Sequence, residues 1–436
     1  MAHIVIVGAG LGGLPTAYEL RHILPKQHQV TVISETPYFT FIPSLPWVAM
    51  GLTSLESIQV SLQERLKQRG IDWIQGRVDH LNPHDQKITF GEESITYDYL
   101  IIATGAELAL DAVAGLGPDG YTQSVCNPHH ALIAEKAWQK FLLAPGPLVV
   151  GALPKTSCLG PAYEFTLLAD YVLRKQGLRD KVSITFVTPE PYAGHLGIGG
   201  MANSAELVKK FMAERNVEVI ENAAVTAIEP NEIYLKNGRV LPFAYSMLLP
   251  PFRGPRFVRQ VPGLGNQDGF IPVLPTYRHP EYSSIYAVGV VVQIKPPEVT
   301  PIPLGVPKTG QMTEAMGMAV AHNIAIELGV HSAQPVTPTL DAICFADFGD
   351  SGILFLANPV LPDAVTGKRR RAVALSGAWV SWAKAAFERY FLAKMRFGTA
   401  VPWFERLALK LLGLSLVAPL PVQSSREISL TVNSEQ

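Results

Sequence analysis

Six residues near the start of the chain, Gly8-Ala9-Gly10-Leu11-Gly12-Gly13, restrict what it can fold into more than any other stretch. They match G-x-G-x-x-G and stand between an apolar run, His3-Ile4-Val5-Ile6-Val7, and a small-residue segment that reads as a helix to about Leu24. In that setting the glycines let a pyrophosphate approach backbone amides at the positive end of a helix. Glycines that merely make a tight strand-helix turn are the alternative. The continuation Gln29-Val30-Thr31-Val32-Ile33-Ser34 supplies the second strand of a βαβ unit and favours dinucleotide binding. Ser34 and Glu35 end that strand, where a hydrogen-bond acceptor meets an adenosine ribose, and either could serve.

At 436 residues the chain is too long for one core, so two or three domains are expected. The strand-turn-helix design recurs. Tyr97 to Ala103 is a second apolar strand ending at Thr104-Gly105, and Pro147 to Gly151 is a third that leads into another turn. Val182 to Val187 repeats the second-strand pattern, and Ser284 to Gly289 reads as a late buried strand. The fold class is therefore α/β, with two Rossmann-like dinucleotide-binding domains of the glutathione-reductase kind. We place an FAD-binding domain, discontinuous, at 1–110 and 255–343, a second Rossmann-like domain at 111–254, and a C-terminal region at 344–436. A proline-rich run from Gln293 to Pro307 should cross the surface as an irregular loop, with a helix following from Thr309. The polar tail after Ser424 is expected to fray.

With 36 basic against 37 acidic side chains, no overall field draws the protein to nucleic acid. Charged residues are only 17% of the chain, below the roughly 25% of average soluble proteins, so some apolar surface should lie outside the core. The opening residues lack the charged leader and long apolar stretch of a secretory signal, and export by that route is not expected. No run of roughly 20 apolar residues could span a bilayer. Membrane contact should be peripheral, or monotopic, on the cytoplasmic face. Three cysteines, Cys126, Cys158 and Cys344, are too few and too scattered for a disulfide framework or a zinc site, and no metal is expected. Each is a buried thiol or a reactive one.

The run Gly151-Ala152-Leu153-Pro154-Lys155-Thr156-Ser157-Cys158-Leu159-Gly160 stands where a second dinucleotide loop would open, yet its glycine spacing is gone. Leu153 and Pro154 remove the close approach and an amide donor that a pyrophosphate needs, so NAD is not expected there. Ala103-Thr104-Gly105 and Tyr286-Ala287-Val288-Gly289 resemble the two further FAD fingerprints of the two-dinucleotide-domain flavoproteins. That resemblance implies FAD, although Val290 stands where many members carry a ribityl-binding Asp.

Over residues 1 to about 413 the chain resembles the sulfide:quinone oxidoreductases, the bacterial type I-like enzymes in particular. The marks are Tyr38-Phe39-x-Phe41-x-Pro43, Cys126 followed by His130, Ser157-Cys158-x-Gly160-Pro161-Ala162-Tyr163-Glu164, Glu190-Pro191-Tyr192-x-Gly194-His195-Leu196-Gly197, Pro307-Lys308-Thr309-Gly310 and Cys344-Phe345-Ala346-Asp347-x-Gly349-Asp350. The resemblance implies that Cys158 and Cys344 form the redox pair, bridged by a disulfide or by intervening sulfur. It implies for Cys126 a part in releasing polysulfur or a covalent link to the flavin, and for His130, His195 and Glu164 a place near the sulfide site. FAD would then meet Gly8, Ala9, Gly10, Gly12, Gly13, Ser34, Glu35, Ile42, Arg77, Val78, Thr104, Gly105, Ala109, Gly289, Lys308, Thr309, Gly310 and Lys384. Quinone, whether ubiquinone, plastoquinone or menaquinone, would meet Phe345, Phe387 and Phe404.

The C-terminal region reads as two amphipathic helices. Trp379, Trp382, Ala386, Phe387 and Tyr390 share one face of the first, and Pro402-Trp403-Phe404 opens the second. Six basic residues, Lys384, Arg389, Lys394, Arg396, Arg406 and Lys410, stand against Glu388 and Glu405, a pattern suited to an anionic bilayer surface. The reading is thus an FAD enzyme that oxidises hydrogen sulfide to polysulfide and reduces a membrane quinone, and that assembles as a homo-oligomer. The rivals are a type II NADH:quinone oxidoreductase, the flavoprotein subunit of a sulfide-oxidising flavocytochrome, and a non-catalytic sulfur-binding or membrane-scaffold protein.

Overall fold

A computed structural model describes residues 1–363 and 365–420; the expected fraying after Ser424 lies outside the described residues. The N-terminal unit runs β1 (His3–Val7), α1 (Gly13–Ile23), β2 (Gln29–Ser34), β3 (Asp72–Gln75) and β4 (Tyr99–Ile102). The second unit follows with α2 (Pro128–Leu143), β5 (Leu148–Ala152), α3 (Gly160–Lys175), β6 (Ile184–Val187), α4 (Ser204–Glu214), β7 (Val217–Ile220) and β8 (Tyr245–Leu249). The chain then returns through β9 (Ile285–Ala287) and α5 (Gly310–Glu327). It ends in β10 (Ala342–Asp347), β11 (Gly352–Asn358), β12 (Arg371–Ser376), α6 (Trp379–Arg396) and α7 (Trp403–Leu411).

Two parallel sheets result. The first has the order β9-β4-β1-β2-β3 and the second β7-β6-β5-β8. Their strands are apolar on both faces because helices cover both, and Ile4, Val5, Ile6, Leu100, Ile101 and Ile102 have no measurable exposure. β9 joins the first sheet after the chain has built the second, so the return carries α5 beside α1 and the glycine turn. The stretch from Gln293 to Pro307 contains no strand or α-helix, and Thr309 caps α5 by accepting from the Met312 amide at 3.3 Å.

The C-terminal region differs from the helical reading. Before α6 it forms a three-stranded antiparallel sheet, β10-β11-β12, in which Cys344 pairs with Phe355 and Phe345 with Leu354. β10 packs against both α3 and α6, which themselves meet through the buried Glu164–Lys384 pair. α7 buries no residue of its own, yet it is tethered: Tyr390 donates to Glu405 at 2.5 Å, Lys394 lies 3.2 Å from Glu405, and Arg406 lies 3.6 Å from Glu19. Two of the six expected surface cations, Lys384 and Lys394, therefore point inward and are buried, because buried carboxylates await them there.

A candidate site between the two sheets

The glycine turn has the shape a dinucleotide requires. A Cβ on Gly13 would stand 1.8 Å from the Gly8 carbonyl, so the strand-helix contact admits nothing larger than glycine. Above Gly10 and Gly105 the situation is reversed, since a Cβ there would meet nothing within 4 Å. The start of α1 carries no capping side chain, and with the Leu14 and Thr16 amides engaged and Pro15 lacking one, the turn before it is what faces an anion at the helix's positive end. At the strand end the buried Ser34 hydroxyl donates to the Thr36 carbonyl and accepts from Trp73 Nε1, both at 2.9 Å. Glu35 is exposed, with Arg77 3.8 Å away and Val78 buried behind. Lys308 adds a cation whose burial pulls it down to about 8, and among the described residues only the Phe270 ring, 5.1 Å away, is recorded against its ammonium. A half-buried cation of this kind is one that an anionic or carbonyl-rich ligand would satisfy. Gly289 and Gly310 flank it, Thr104 and Ala109 are half-buried, and Ile42 is exposed.

The degenerate loop at Leu153 to Ser157 is covered by the chain itself. The Lys155 amide donates to the Pro303 carbonyl at 2.7 Å, the Gly305 amide donates to the Thr156 carbonyl at 3.0 Å, and a Cβ on Gly305 would meet Ser157 Oγ at 2.5 Å. The proline-rich stretch thus lies across the approach that a second dinucleotide would use.

Beyond that loop the three cysteines approach one another. All are free thiols and half-buried. Burial pushes Cys126 up to about 11. Cys158 is pushed up to about 11 by burial and by the neighbouring Cys126 and Glu164, against a pull from the Gly160 amide at the start of α3. Cys344 is pushed up to about 12, first by burial and then by Cys158 and Glu164, while Lys384 opposes them. Cys158 and Cys344 therefore share one electrostatic neighbourhood with Glu164, Lys384 acts on Cys344, and Cys126 adjoins it through Cys158. A thiol held this far above neutrality is a weak nucleophile, and its thiolate, once formed, takes up a proton readily.

Glu164 is that neighbourhood's titrating group. Burial raises it to about 7 against the pull of Lys384, with which it forms a buried ion pair, and the Asp347 amide also donates to it. Lys384 rests 4.7 Å from the centroid of Trp47, whose Nε1 donates to Asp347 at 3.0 Å. Trp47 escapes a reading by motif, because a lone Trp in a short helix carries no spacing signal, whereas Asp347 belongs to the Cys344 motif and gains its partner only in the fold. The histidines differ in availability. His130 begins α2, where its amide is capped by Asn127, and its Nδ1 is buried without a partner. Both ring nitrogens of the buried His195 are engaged, Nδ1 accepting from the Gly197 amide at 3.2 Å and Nε2 meeting Glu298 at 2.7 Å.

Strand alternation in β10 separates two environments. Cys344 lies in the field of Cys158 and Glu164, with Lys384 of α6 opposing them, whereas the Phe345 ring lies 5.5 Å from Phe387 of α6. Phe387 continues into an aromatic cluster with Phe41, Phe391 and Phe39. Phe404 stands apart from it on α7, 5.9 Å from Tyr390 and half exposed. Around it an apolar surface is open to solvent, including Trp382, Phe397, Trp403, Leu407 and Leu411. Among the described residues no helix is long and apolar enough to cross a membrane.

Comparison with known proteins bears on this arrangement. The profile of the family described as pyridine nucleotide-disulphide oxidoreductase matches residues 2–152. The chain is 42% identical over 418 residues to the sulfide-quinone reductase of Aquifex aeolicus, covering 94% of each chain. It is 24% identical over 361 residues to the mitochondrial sulfide:quinone oxidoreductase of Dictyostelium discoideum, covering 79% of this chain and 77% of that one. The crystal structure of the Aquifex aeolicus sulfide:quinone oxidoreductase superposes with a TM-score of 0.92 at 41% identity over 96% of this chain and 97% of that one. NDH2 of Plasmodium falciparum, solved with NADH, shares the fold at a TM-score of 0.68 and 17% identity, covering 91% and 96%.

Proposed function

The chain belongs to the sulfide:quinone oxidoreductase family, and from that premise we propose how its own residues oxidise sulfide and reduce a quinone. It is an FAD-dependent oxidoreductase. The observation that carries the residue assignment is the shared electrostatic neighbourhood of Cys158, Cys344, Glu164 and Lys384.

In this reading Gly8, Gly10, Gly12 and Gly13 hold the FAD pyrophosphate against α1, with Thr104, Gly105 and Gly289 along the same groove. Glu35, not the already engaged Ser34, accepts from the ribose, and the unpaired Lys308 faces the flavin end. Bound FAD supplies a two-electron acceptor that quinone can reoxidise. Oxidised Cys158 and Cys344 form a disulfide. Hydrosulfide attacks one sulfur of it, a new S–S bond forms, the old one breaks, and the other cysteine leaves as a thiolate; persulfide and thiolate then rejoin through the added sulfur with loss of one proton and two electrons, which bound FAD would accept. Glu164, poised near neutrality, exchanges protons with that thiolate and with the incoming sulfide. Lys384 steadies the negative charge. His130 offers a second proton acceptor through its free Nδ1, while His195 holds the loop from Tyr192 to Gly200 against Glu298 of the proline-rich stretch. Cys126, the neighbour of Cys158, takes up sulfur from it.

On the other face of β10, Phe345 and Phe387 receive the quinone head group, and Phe404 with the exposed faces of α6 and α7 rests on the bilayer. The covered loop at Leu153 to Ser157 speaks against NADH as donor. The test is an anaerobic titration. Sulfide should bleach the flavin stoichiometrically, a short-chain ubiquinone analogue should restore its colour, and NADH should do neither. Bleaching by NADH and not by sulfide would overturn the reading.

A further inference from the structure

The elements that carry the two thiols are joined twice. Near the chemistry, Cys158 and Glu164 lie at the start of α3 and Cys344 lies on β10. Roughly 15 Å farther along α3, ten residues at 1.5 Å each, a second junction ties its far end to the turn between β10 and β11.

That junction is built from paired charges. Asp350 in the turn receives Arg174 of α3 at 2.7 Å on one carboxylate oxygen and Arg215, just after α4, at 2.9 Å on the other. Arg215 also donates to Ser351 at 2.8 Å. Behind them Asp170, 1% exposed, meets Arg174 at 2.8 Å, Arg179 at 2.7 Å and Arg215 at 3.4 Å. Arg179 in turn holds the Val182 and Arg215 carbonyls, each at 2.6 Å. Gly349 lies against Tyr171 of α3 so closely that a Cβ would stand 2.2 Å from the ring, at a φ of +83° that favours glycine. The cluster borders a solvent-open cavity of about 730 Å³ and contributes nothing to the dinucleotide groove or the aromatic cluster.

Surface ion pairs are worth little singly. This set is different in kind, because a buried carboxylate fixes the guanidinium planes that then grip the turn. We infer that Asp350, gripped by Arg174 and Arg215 over the buried Asp170, is a positioning residue that keeps Cys344 in bridging register with Cys158. The inference rests on the proposed disulfide chemistry. A disulfide needs its two sulfurs about 2.05 Å apart with a dihedral of roughly 90°, whereas aromatic rings keep their contact while sliding and tilting over several tenths of an ångström. Pivoting of β10 therefore harms the thiol face before the Phe345 face.

Two measurements test this on the FAD-loaded protein. In stopped flow, Asp350→Asn is expected to slow flavin bleaching by sulfide about tenfold or more, while the dithionite-reduced enzyme is reoxidised by the ubiquinone analogue within about twofold of wild type. Asp350→Glu should recover most of the loss. Arg174→Gln, which leaves Asp350 on Arg215 and Asp170 on Arg179, should show a smaller loss in the same half-reaction and decides the matter if Asp350→Asn does not fold. The second measurement needs no sulfide. Diamide should close Cys158 to Cys344 in the wild type, two of the three free thiols disappearing, and should do so about tenfold more slowly in Asp350→Asn. Wild-type closure and bleaching rates in both variants, or equal loss of both half-reactions, would overturn the inference. Wild-type protein that closes with diamide but is not bleached by sulfide would instead refute the reading of function.

Discussion

Glu164 and Lys384, 220 residues apart in the chain, form an ion pair that is buried on both sides, and the Glu164 carboxylate bears on both Cys158 and Cys344. Burial lifts the carboxyl to about 7 even with the ammonium against it, so the pair holds a proton that can leave or arrive near neutral pH. The remaining predictions mostly radiate from this contact.

Protonated Glu164 cannot accept a proton, so the rate of sulfide bleaching should climb as pH rises through about 7 and then level off. Sulfide ionises in the same range, and the ratio of wild-type to Glu164→Gln rates removes that common effect. The ratio is expected to grow with pH through the same window. A flat ratio would deny Glu164 its role in proton transfer.

Replacing Lys384 by Met leaves a carboxyl in a dry site without its cation. Removing one partner of a buried pair costs about 3 kcal/mol, so Tm should fall clearly. Adding Glu164→Gln to the same protein should restore most of that loss, since the amide needs no counter-charge. Thermal unfolding of the two single variants and the double one completes the cycle.

Cys158→Ser and Cys344→Ser should both retain bound flavin, because neither side chain belongs to the glycine groove. Neither should bleach with sulfide in the absence of oxygen. Absorbance at the flavin band after sulfide addition reads the outcome, and normal bleaching in both variants would reject the cysteine pair.

α7 offers its leucines to the surroundings, Leu411 being 80% exposed and Leu407 half exposed. Burying a leucine in an apolar phase is worth about 1.5–3 kcal/mol, so Leu407→Glu with Leu411→Glu should weaken binding to anionic phospholipid vesicles roughly a hundredfold. Co-sedimentation measures it. Bleaching by sulfide in solution should not change.

Much of this was legible in the sequence, and the reasons are local. Gly8 to Gly13 announce their turn because only glycine permits the contact between Gly13 and the Gly8 carbonyl. Leu153 and Pro154 announce the loss of the second dinucleotide loop, because bulk and a missing amide are properties of the residues themselves. Less visible was anything that depends on distant partners. Lys384 and Lys394 look like surface cations on an amphipathic helix until Glu164 and Glu314 are found waiting for them. Trp47 had no spacing to betray it, Asp347 and Asp350 stood in the Cys344 motif without showing what they would hold, and the sheet of β10, β11 and β12 was hidden because Arg371 to Ser376 is exposed or half-buried throughout and shows no clean apolar alternation. Ser34 and Glu35 were indistinguishable as acceptors until Trp73 was seen to occupy the serine.

The alternation of Cys344 and Phe345 along one strand has a chemical corollary. Quinones are electrophiles, and free sulfide adds directly to their rings. On the proposed assignment of Cys344 to sulfide and Phe345 to quinone, adjacent residues facing opposite ways would hold the aqueous reductant apart from the lipid-borne oxidant, so that electrons would have a short crossing and sulfur atoms none. Redox coupling without adduct formation would thus be secured by β-strand geometry, at no expense beyond the order in which two residues were written.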